Sequence, residues 1–434
     1  MKSLSIYVVS TGALFLASTI ALAVTQTPLG SPLFFALAAL VGAAYVVILV
    51  RVWNVPTASR RLLLAALALA VAFRVPLAAP RVNADNDMVR YLWDGRVQRL
   101  GYNPYTVVPA DPAMTATHTH ETSQMPSGRA HTPYPPGAQL FFRLVVTIHD
   151  SSRAMKLALV GCDLLTILVL WRWLVVTGRN EWLALAYAWN PLVVLEVAHS
   201  GHIDALGALW IVASAFWLTR RRTLLASLAF VLAVATKLLP IVLLPLFWKR
   251  VRPRDALVAA VVFALLYAPF REGSGVPLGA VPNVVQHIRF NGPLFRAIAG
   301  LSSPSAAAAV AVVLGLLVAA WARWKWPVSE PAAWAWPMAI ALAWAPVIYP
   351  WYLLYFTPFL FTAAAAPLIA WTFSALPVYT VWELSRHGGR WRVPAGVMIA
   401  EYAIVVAAIA ASLAWRGRRG REDARPETTG SHER

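Results

Sequence analysis

Long apolar runs alternate with short polar segments along most of this chain. Many of the runs approach the roughly 20 residues with which a helix crosses a hydrocarbon core, and their repetition predicts transmembrane helices. The predicted spans are 4–24, 33–50, 62–79, 155–176, 182–198, 203–219, 255–270, 304–324, 333–349, 351–365, 367–383 and 395–414. The pattern predicts an all-α, polytopic membrane fold of about 12 spans, with residues 1–415 as one transmembrane domain.

The first run, 4–24, follows Lys2 and ends in ALAVT, as signal peptides often do. Its apolar stretch is longer than the roughly 7–15 residues of a signal-peptide core, so we interpret it as a retained span.

One apolar stretch, 224–247, is interrupted by Lys237 and Pro240 and has basic residues at both ends. A sharp break that returns the chain to its starting side would place both basic flanks together. We therefore predict two half-spans that meet near Lys237, where broken backbone must line a protein cavity. A lysine at this depth suggests a function, and a phosphate is the partner we expect. Alternatively, the lysine extends to the membrane surface.

Composition agrees with a membrane protein. Of 434 residues, 59% are hydrophobic and 13% are charged, whereas soluble domains carry about 25% charged residues. The net charge of +18 would suit nucleic acid, but many arginines lie at span ends, as expected of loops that face anionic lipid. We expect membrane lipid and no nucleic acid as a partner. The single cysteine, Cys162, excludes intramolecular disulfides and a multi-cysteine metal site.

Most basic segments fall on one side of the predicted spans, which the positive-inside tendency assigns to the cytoplasm. Both termini are then cytoplasmic, residues 416–434 form a disordered tail, and loops 81–150 and 271–303 lie outside. The basic loop 385–393 also falls outside. Either the span count is wrong there, or its arginines, Arg390 and Arg392 among them, bind an anion.

The loop 81–150 carries the acids best suited to catalysis. Its first part, NADNDMVRYLWDGRVQRLGYNPY, contains Asp85, Asp87 and Asp94. As a helix, residues 87–100 have one apolar stripe and one polar face; the stripe is Val89, Trp93, Val97 and Leu100, and the face is Asp87, Arg90, Tyr91, Asp94 and Gln98. We expect the helix to lie in the membrane interface, with its stripe in lipid and its carboxylates facing the protein. Alternatively, Arg90 only neutralises the two acids, and Asp85 caps the helix.

A second polar group follows the interruption at Asn190-Pro191. It comprises Glu196, His199, His202 and Asp204. The HxxHxD spacing would suit a metal. We favour a hydrogen-bonding network, because no cysteine and no third histidine lie nearby.

Five segments resemble, in sequence and order, those of bacterial integral-membrane glycosyltransferases of the GT-C superfamily. They are NDMVRYLWDGRVQRLGYNPY, TPYPPGAQLFF, NPLVVLEVAHSGHIDALG, ATKLLPIVLLPLF and YPWYLLYFTPF, within residues 80–405. The similarity is greatest to the mannosyltransferase-type subgroup that uses polyprenyl-phosphate sugars.

The resemblance implies an enzyme of the bacterial cytoplasmic membrane with an extracytoplasmic active site. It places the catalytic acid at Asp87. Related sequences commonly have a second acid next to this one, at the position where this chain has Asn86. Asp85 is therefore a second candidate for the catalytic acid, and Asp94 is a third. The residues expected to bind substrate are Arg90, Tyr91, Tyr105, Tyr134, Glu196, His202, Asp204, Lys237, Tyr349, Trp351, Arg390 and Arg392.

The chemistry of such a transfer fits these residue types. A lipid-phosphate sugar needs a base for the acceptor hydroxyl and a cation for the departing phosphate, so no metal is obligatory, although a divalent cation is compatible. The expected partners are a polyprenyl-phosphate-linked sugar and a glycan or glycolipid acceptor. The alternative functions are a transporter or flippase of lipid-linked saccharides and a surface-polysaccharide polymerase or ligase.

Overall fold

A computed structural model describes residues 2–53, 59–78, 86–125, 128–271 and 275–422. The described chain is helical, and its single β-bridge joins Phe290 to Val347. The α-helices are α1 Lys2–Val24, α2 Pro32–Trp53, α3 Arg60–Arg74, α4 Asn86–Arg99, α5 Pro136–Ile148, α6 Ser152–Val176, α7 Leu185–Ala188, α8 Pro191–Val194, α9 Asp204–Thr219, α10 Thr223–Thr236, α11 Pro253–Tyr267, α12 Val281–His287, α13 Pro293–Leu301, α14 Pro304–Lys325, α15 Ala332–Ala343, α16 Pro367–Ser374, α17 Thr380–Arg386 and α18 Ala395–Glu422.

Several short segments have other helical geometry. The 3₁₀-helices are Pro112–Thr117, Thr122–Gln124, Glu181–Ala184, Leu239–Phe247, Ala268–Phe270, Pro350–Tyr355, Thr357–Phe359 and Leu376–Tyr379. Leu195–Ser200 is a π-helix. Because α18 continues to Glu422, residues 416–422 of the predicted disordered tail are helical, and the rest of the tail lies outside the described residues.

The polytopic helical fold is confirmed, and six of the twelve predicted spans are single helices of full membrane-crossing length in the described residues. Within the described ranges, six helical segments are long and apolar enough to cross a membrane; they are Leu4–Val24, Pro32–Trp53, Ser152–Val176, Pro253–Phe270, Pro304–Lys325 and Ala395–Trp415. Each of these coincides with a predicted span.

The other six predicted spans are shorter or broken helices. Predicted span 62–79 becomes the 15-residue α3, for example, and 351–365 contains 3₁₀ turns around Pro358. Many of their side chains are buried in protein, such as Trp334 and Tyr355 at 0% exposure. Apolar runs shorter than a full span are typical of core helices, which an apolar pattern alone does not separate from lipid-facing ones.

The predicted break at Lys237 is confirmed. Helix α10 ends at Thr236, Lys237 is extended, and a 3₁₀-helix follows over Leu239–Phe247. Thr223 at the start of α10 donates a hydrogen bond to Asp255 at the start of α11, so the two basic flanks meet at one end of the molecule.

Loop 385–393 lies near the second predicted outer loop. Trp391 packs against Trp382 and Phe290, and Val393 shares a buried cluster with Phe290 and Val347. The segment containing Arg390 and Arg392 therefore packs next to Phe290 of that loop, and the position of both segments outside the membrane stays a prediction.

The surroundings of α4 differ from the prediction. Its stripe residues Trp93 and Val97 are fully buried against Met114 and Met125 of the same loop, and Trp93 Nε1 donates to Thr117 Oγ1 at 2.9 Å. These residues therefore do not face lipid. The sequence pattern identified an apolar helix face, but the loop methionines that cover it are distant in sequence.

Candidate active site

The candidate site lies where four chain segments meet. These are the first turn of α4, the π-helix with the start of α9, the break at Lys237 and the 3₁₀-helix Pro350–Tyr355. Asn190 caps α8 by accepting the Leu192 N–H at 3.0 Å, and Pro191 occupies the first helical turn, so this segment starts anew inside the protein.

The π-helix places its polar side chains next to α4. Gly201, with φ 78°, ends it in the left-handed region. A Cβ atom at Gly201 would lie 2.0 Å from Cε of Met88, the residue after Asp87. The Gly201 and His202 N–H groups both donate to the Glu196 carbonyl at 3.0 Å. The lack of a side chain at Gly201 thus lets this turn approach α4 closely.

Asp87, His202 and Glu196 form a chain of three side chains. His202 Nδ1 is 3.8 Å from Asp87 Oδ2, and His202 Nε2 is 3.3 Å from Glu196 Oε2. His202 and Glu196 are fully buried, whereas the Asp87 side chain is 35% exposed. Tyr379 donates a hydrogen bond to the other Glu196 oxygen. Asp87 is therefore the accessible end of a buried carboxylate–imidazole chain.

Asp204 and Lys237 form a second charged pair. Lys237 Nζ lies 2.8 Å from Asp204 Oδ1 and 3.8 Å from the ring centroid of Tyr352. Asp204 is fully buried, and its Oδ2 accepts no hydrogen bond from the described residues. The lysine side chain keeps 21% exposure, so the pair is accessible through its cationic member.

Three buried tyrosines connect the chain segments around Asp87. Burial first, and then the Asp87 charge, raise the pKa of Tyr91 and Tyr134 well above the usual range, so both remain protonated. Tyr91 Oη accepts the Ile203 N–H at 3.3 Å, and Tyr105 Oη donates to the Tyr134 carbonyl at 2.7 Å. These contacts connect α4, the loop and the start of α9.

A stack of rings leads away from His202. Trp351 lies between His202 and Tyr349, with ring centroids 4.0 and 4.3 Å apart and planes nearly parallel. Tyr349 in turn packs on Phe290 at 4.3 Å. Since both faces of Trp351 are covered, its contacts indicate support of the imidazole more than stacking on a sugar.

Arg90 and Asp94 lie in a separate, supporting network. Arg90 Nε is 2.7 Å from Asp94 Oδ1, and Thr132 and Gln139 donate to Asp94 Oδ2 at 2.6 and 2.8 Å. Asp94 is fully buried. These contacts match the alternative in which Arg90 neutralises an acid, and they favour a structural role for Asp94.

The remaining candidates are outside this cluster. Asp85 is outside the described residues. Arg390 and Arg392 are exposed, and neither side chain forms a hydrogen bond or ion pair with the described part of the chain. The described residues contain no group of three or more His, Cys, Asp or Glu side chains suited to hold a metal, so the HxxHxD spacing does not become a metal site there.

Sequence reasoning missed Tyr352, Tyr379 and Gly201. Tyr352 belongs to the YPWY motif beside the candidates Tyr349 and Trp351, and Gly201 is the glycine of AHSGHID. These motifs could have identified both residues. No local motif could have identified Tyr379, because its contact with Glu196 joins residues 183 positions apart.

Two neighbouring apolar cavities extend from the break at Lys237. The first, of about 830 Å³, is lined by Leu238 and by residues of α10, α11 and α14, and includes Arg271. The second, of about 950 Å³, shares Val234, Ile241 and Phe263 with it and includes Lys249. Both cavities include residues of α11.

The fold and the site define a polytopic helical membrane protein with a cluster of carboxylate, imidazole and lysine side chains near apolar cavities. A family model described as alpha-(1->6)-mannopyranosyltransferase, N-terminal domain (MptA_B family), matches residues 4–251, and the chain belongs to this family. It is a glycosyltransferase of the mannosyltransferase type. Neither a curated protein nor a solved structure gives a significant match. The matched region includes Asp87, His202 and Lys237.

Proposed function

We propose that this protein transfers mannose from a polyprenyl-phosphate donor to a glycan or glycolipid acceptor outside the bacterial cytoplasmic membrane, with a GT-C architecture. Family membership supports the mannosyl transfer. The observation that carries the proposal is the position of a part-exposed carboxylate, Asp87, in one site with a cation, Lys237, beside apolar cavities.

Asp87 acts as the general base in this proposal. Of the three acids at the site that the structure describes, Asp87 is part-exposed, whereas Glu196 and Asp204 are fully buried. A base must reach the acceptor hydroxyl, and an exposed carboxylate can do so. Asp85 remains a second candidate.

Lys237 binds the donor phosphate. An ammonium group has three donors, and among the described residues Lys237 Nζ uses one for Asp204. The remaining donors suit phosphate oxygens. Arg390 and Arg392, exposed on the same side of the molecule, add a weaker attraction for the anion.

The apolar cavities hold the isoprenoid chain of the donor. The first cavity includes Leu238, directly after Lys237, the second adjoins the first, and the lining of both is almost entirely apolar. A lipid with a phosphate head and an apolar tail matches a cation followed by apolar walls.

In the reaction, the acceptor oxygen forms a bond to the anomeric carbon while the bond from that carbon to the phosphate oxygen breaks. The acceptor proton moves to Asp87, and the electron pair of the broken bond leaves with polyprenyl phosphate, which Lys237 stabilises. The scheme balances without a metal, and it is compatible with a divalent cation on the phosphate.

The identity of the donor is tested by mass spectrometry of products from purified enzyme in lipid nanodiscs. The donors compared are polyprenyl-phosphate mannose, polyprenyl-diphosphate mannose and a nucleotide-diphosphate mannose, each with an α-1,6-mannose oligosaccharide as acceptor. We expect products from the monophosphate lipid alone. Transfer from the nucleotide sugar would refute the lipid donor, and a preference for the diphosphate lipid would support the polymerase or ligase alternative.

A further inference from the structure

We propose that His202 takes the proton from Asp87 during each transfer, and that Glu196 holds His202 in position for this step. The inference rests on the proposed function, because it needs Asp87 as the base. It assigns a role beyond substrate binding to two buried residues.

The two nitrogens of His202 face two different acids. Nε2 is at 3.3 Å from Glu196 and Nδ1 at 3.8 Å from Asp87. A proton on Nε2 directs that nitrogen to Glu196 and leaves the Nδ1 lone pair towards Asp87, so the imidazole can accept a proton from it. The 3.8 Å distance between Nδ1 and Asp87 is consistent with a contact that shortens when substrate binds.

The surroundings hold the imidazole in this orientation. Trp351 stacks on its ring at 4.0 Å, and Tyr379 fixes Glu196 through the second carboxylate oxygen. The π-helix places Glu196 and His202 six residues apart but side by side, and single π turns occur often at functional sites.

The charges around His202 favour a transient imidazolium. Asp87 faces it from α4 and Glu196 from the π-helix. The nearby cations are engaged elsewhere: Lys237 pairs with Asp204, and Lys156 Nζ donates to the His199 carbonyl at 2.7 Å. Two carboxylates therefore flank the imidazole, which lowers the free energy of its protonated form.

The proton balance is complete. The acceptor O–H bond breaks as Asp87 takes the proton; the Asp87 O–H bond then breaks as Nδ1 takes it, giving an imidazolium between two carboxylates. The proton returns through Asp87 to water or to the leaving phosphate once the glycan product has left. Asp87 is thereby ionised again for the next acceptor.

The test compares His202→Gln and His202→Phe with the control His199→Gln, which changes a neighbouring histidine of the same turn. Rates are measured against pH with polyprenyl-phosphate mannose. We expect both His202 variants to lower kcat about 10- to 100-fold, less than the ~10²–10⁴ typical of losing a direct general base. The KM for the donor should stay near the wild-type value, and the acid limb of the pH profile should move to lower pH. The control should behave as the wild type does.

A purely structural His202 would show a changed KM or lower thermal stability, with the pH profile unmoved, and this result would overturn the inference. If the His202 variants do not fold, Glu196→Gln supplies the same pH test, with a smaller expected loss of kcat. Should Asp87→Asn keep full activity, the assignment of Asp87 as the general base fails, and the relay fails with it, whereas the donor comparison tests the proposed transfer separately. An inactive Asp87→Asn beside a fully active His202→Gln rejects the relay alone.

Discussion

Individual residues of the site have double roles, and Lys237 is the clearest case. It is the proposed phosphate ligand, and it also neutralises the fully buried Asp204 at 2.8 Å. Removing the lysine would leave a buried carboxylate without its partner, which costs ~3–5 kcal/mol. Lys237→Met alone therefore mixes a loss of stability with a loss of binding.

A double variant separates the two effects. Lys237→Met combined with Asp204→Asn has no unpaired charge, so its thermal midpoint should recover towards that of the wild type. Its donor affinity should stay lower, since a charge-assisted contact is worth ~1.5–3 kcal/mol, which equals about one to two decades in Kd. Donor binding and thermal denaturation in detergent provide the measurements. Normal donor affinity in the double variant would remove Lys237 from phosphate binding.

The sequence indicated many of the residues of this cluster but not which of them touch. Motif order suggested Asp87, Glu196, His202, Asp204 and Lys237, and the structure places them in two groups, the chain from Asp87 through His202 to Glu196 and the pair of Asp204 with Lys237. Asp94 had the same motif support, yet its oxygens are bound by Arg90, Thr132 and Gln139. Those partners come from segments up to 45 positions away, which no local pattern reveals.

At the scale of elements, the π-helix Leu195–Ser200 and its terminal Gly201 determine how close the acids come to α4. The extra residue in a π turn leaves no compositional mark, so the sequence could not predict it. The break at Lys237 was predictable because proline and a lysine interrupt an apolar run. Helix α4 was predictable from its period, whereas its loop cover of Met114 and Met125 was not.

Gly201→Ala should lower the transfer rate by more than its loss of thermal stability explains. Gly201 and Gly178 both have positive φ, 78° and 64°, so alanine at either position costs ~1–2 kcal/mol of backbone strain. Only at Gly201 does the new Cβ meet another atom, Met88 Cε at 2.0 Å. The flexible Met88 can move aside, but it adjoins Asp87.

We therefore expect similar decreases in thermal midpoint for Gly201→Ala and Gly178→Ala, and a lower transfer rate for Gly201→Ala alone. Equal rates in the two variants would show that the approach of the π turn to α4 does not matter for the chemistry.

At the scale of the whole molecule, the described residues combine six long apolar helices with shorter and broken helices, many of whose side chains are buried. The sequence predicted about twelve full spans because burial in protein and burial in lipid select the same side chains. The basic segments, unlike the apolar pattern, indicated which parts of the chain lie close together. Arg250 donates to the carbonyls of Arg323 and Trp326, so two basic segments that are distant in sequence share contacts.

The orientation of the molecule remains a prediction, with both termini cytoplasmic and loop 81–150 outside. Cys162→Ser removes the single native thiol, which is buried. In that background, Ala116→Cys places a thiol on the exposed surface of the loop, and Arg254→Cys places one in the first turn of α11, at the end of the basic segment. A membrane-impermeant maleimide should label Ala116→Cys in intact cells and Arg254→Cys only after lysis. The opposite pattern would invert the orientation.

The central claim is that Asp87 is the base that activates the acceptor. Its most direct test is the rate of mannose transfer from polyprenyl-phosphate mannose by the wild type, by Asp87→Asn and by Asp111→Asn. Asp111 is an exposed acid of the same loop that caps the 3₁₀-helix Pro112–Thr117, and it serves as the matched control. We predict a ~10²–10⁴-fold lower rate for Asp87→Asn, with unchanged donor affinity, and a near wild-type rate for Asp111→Asn. A near wild-type rate for Asp87→Asn would contradict the account.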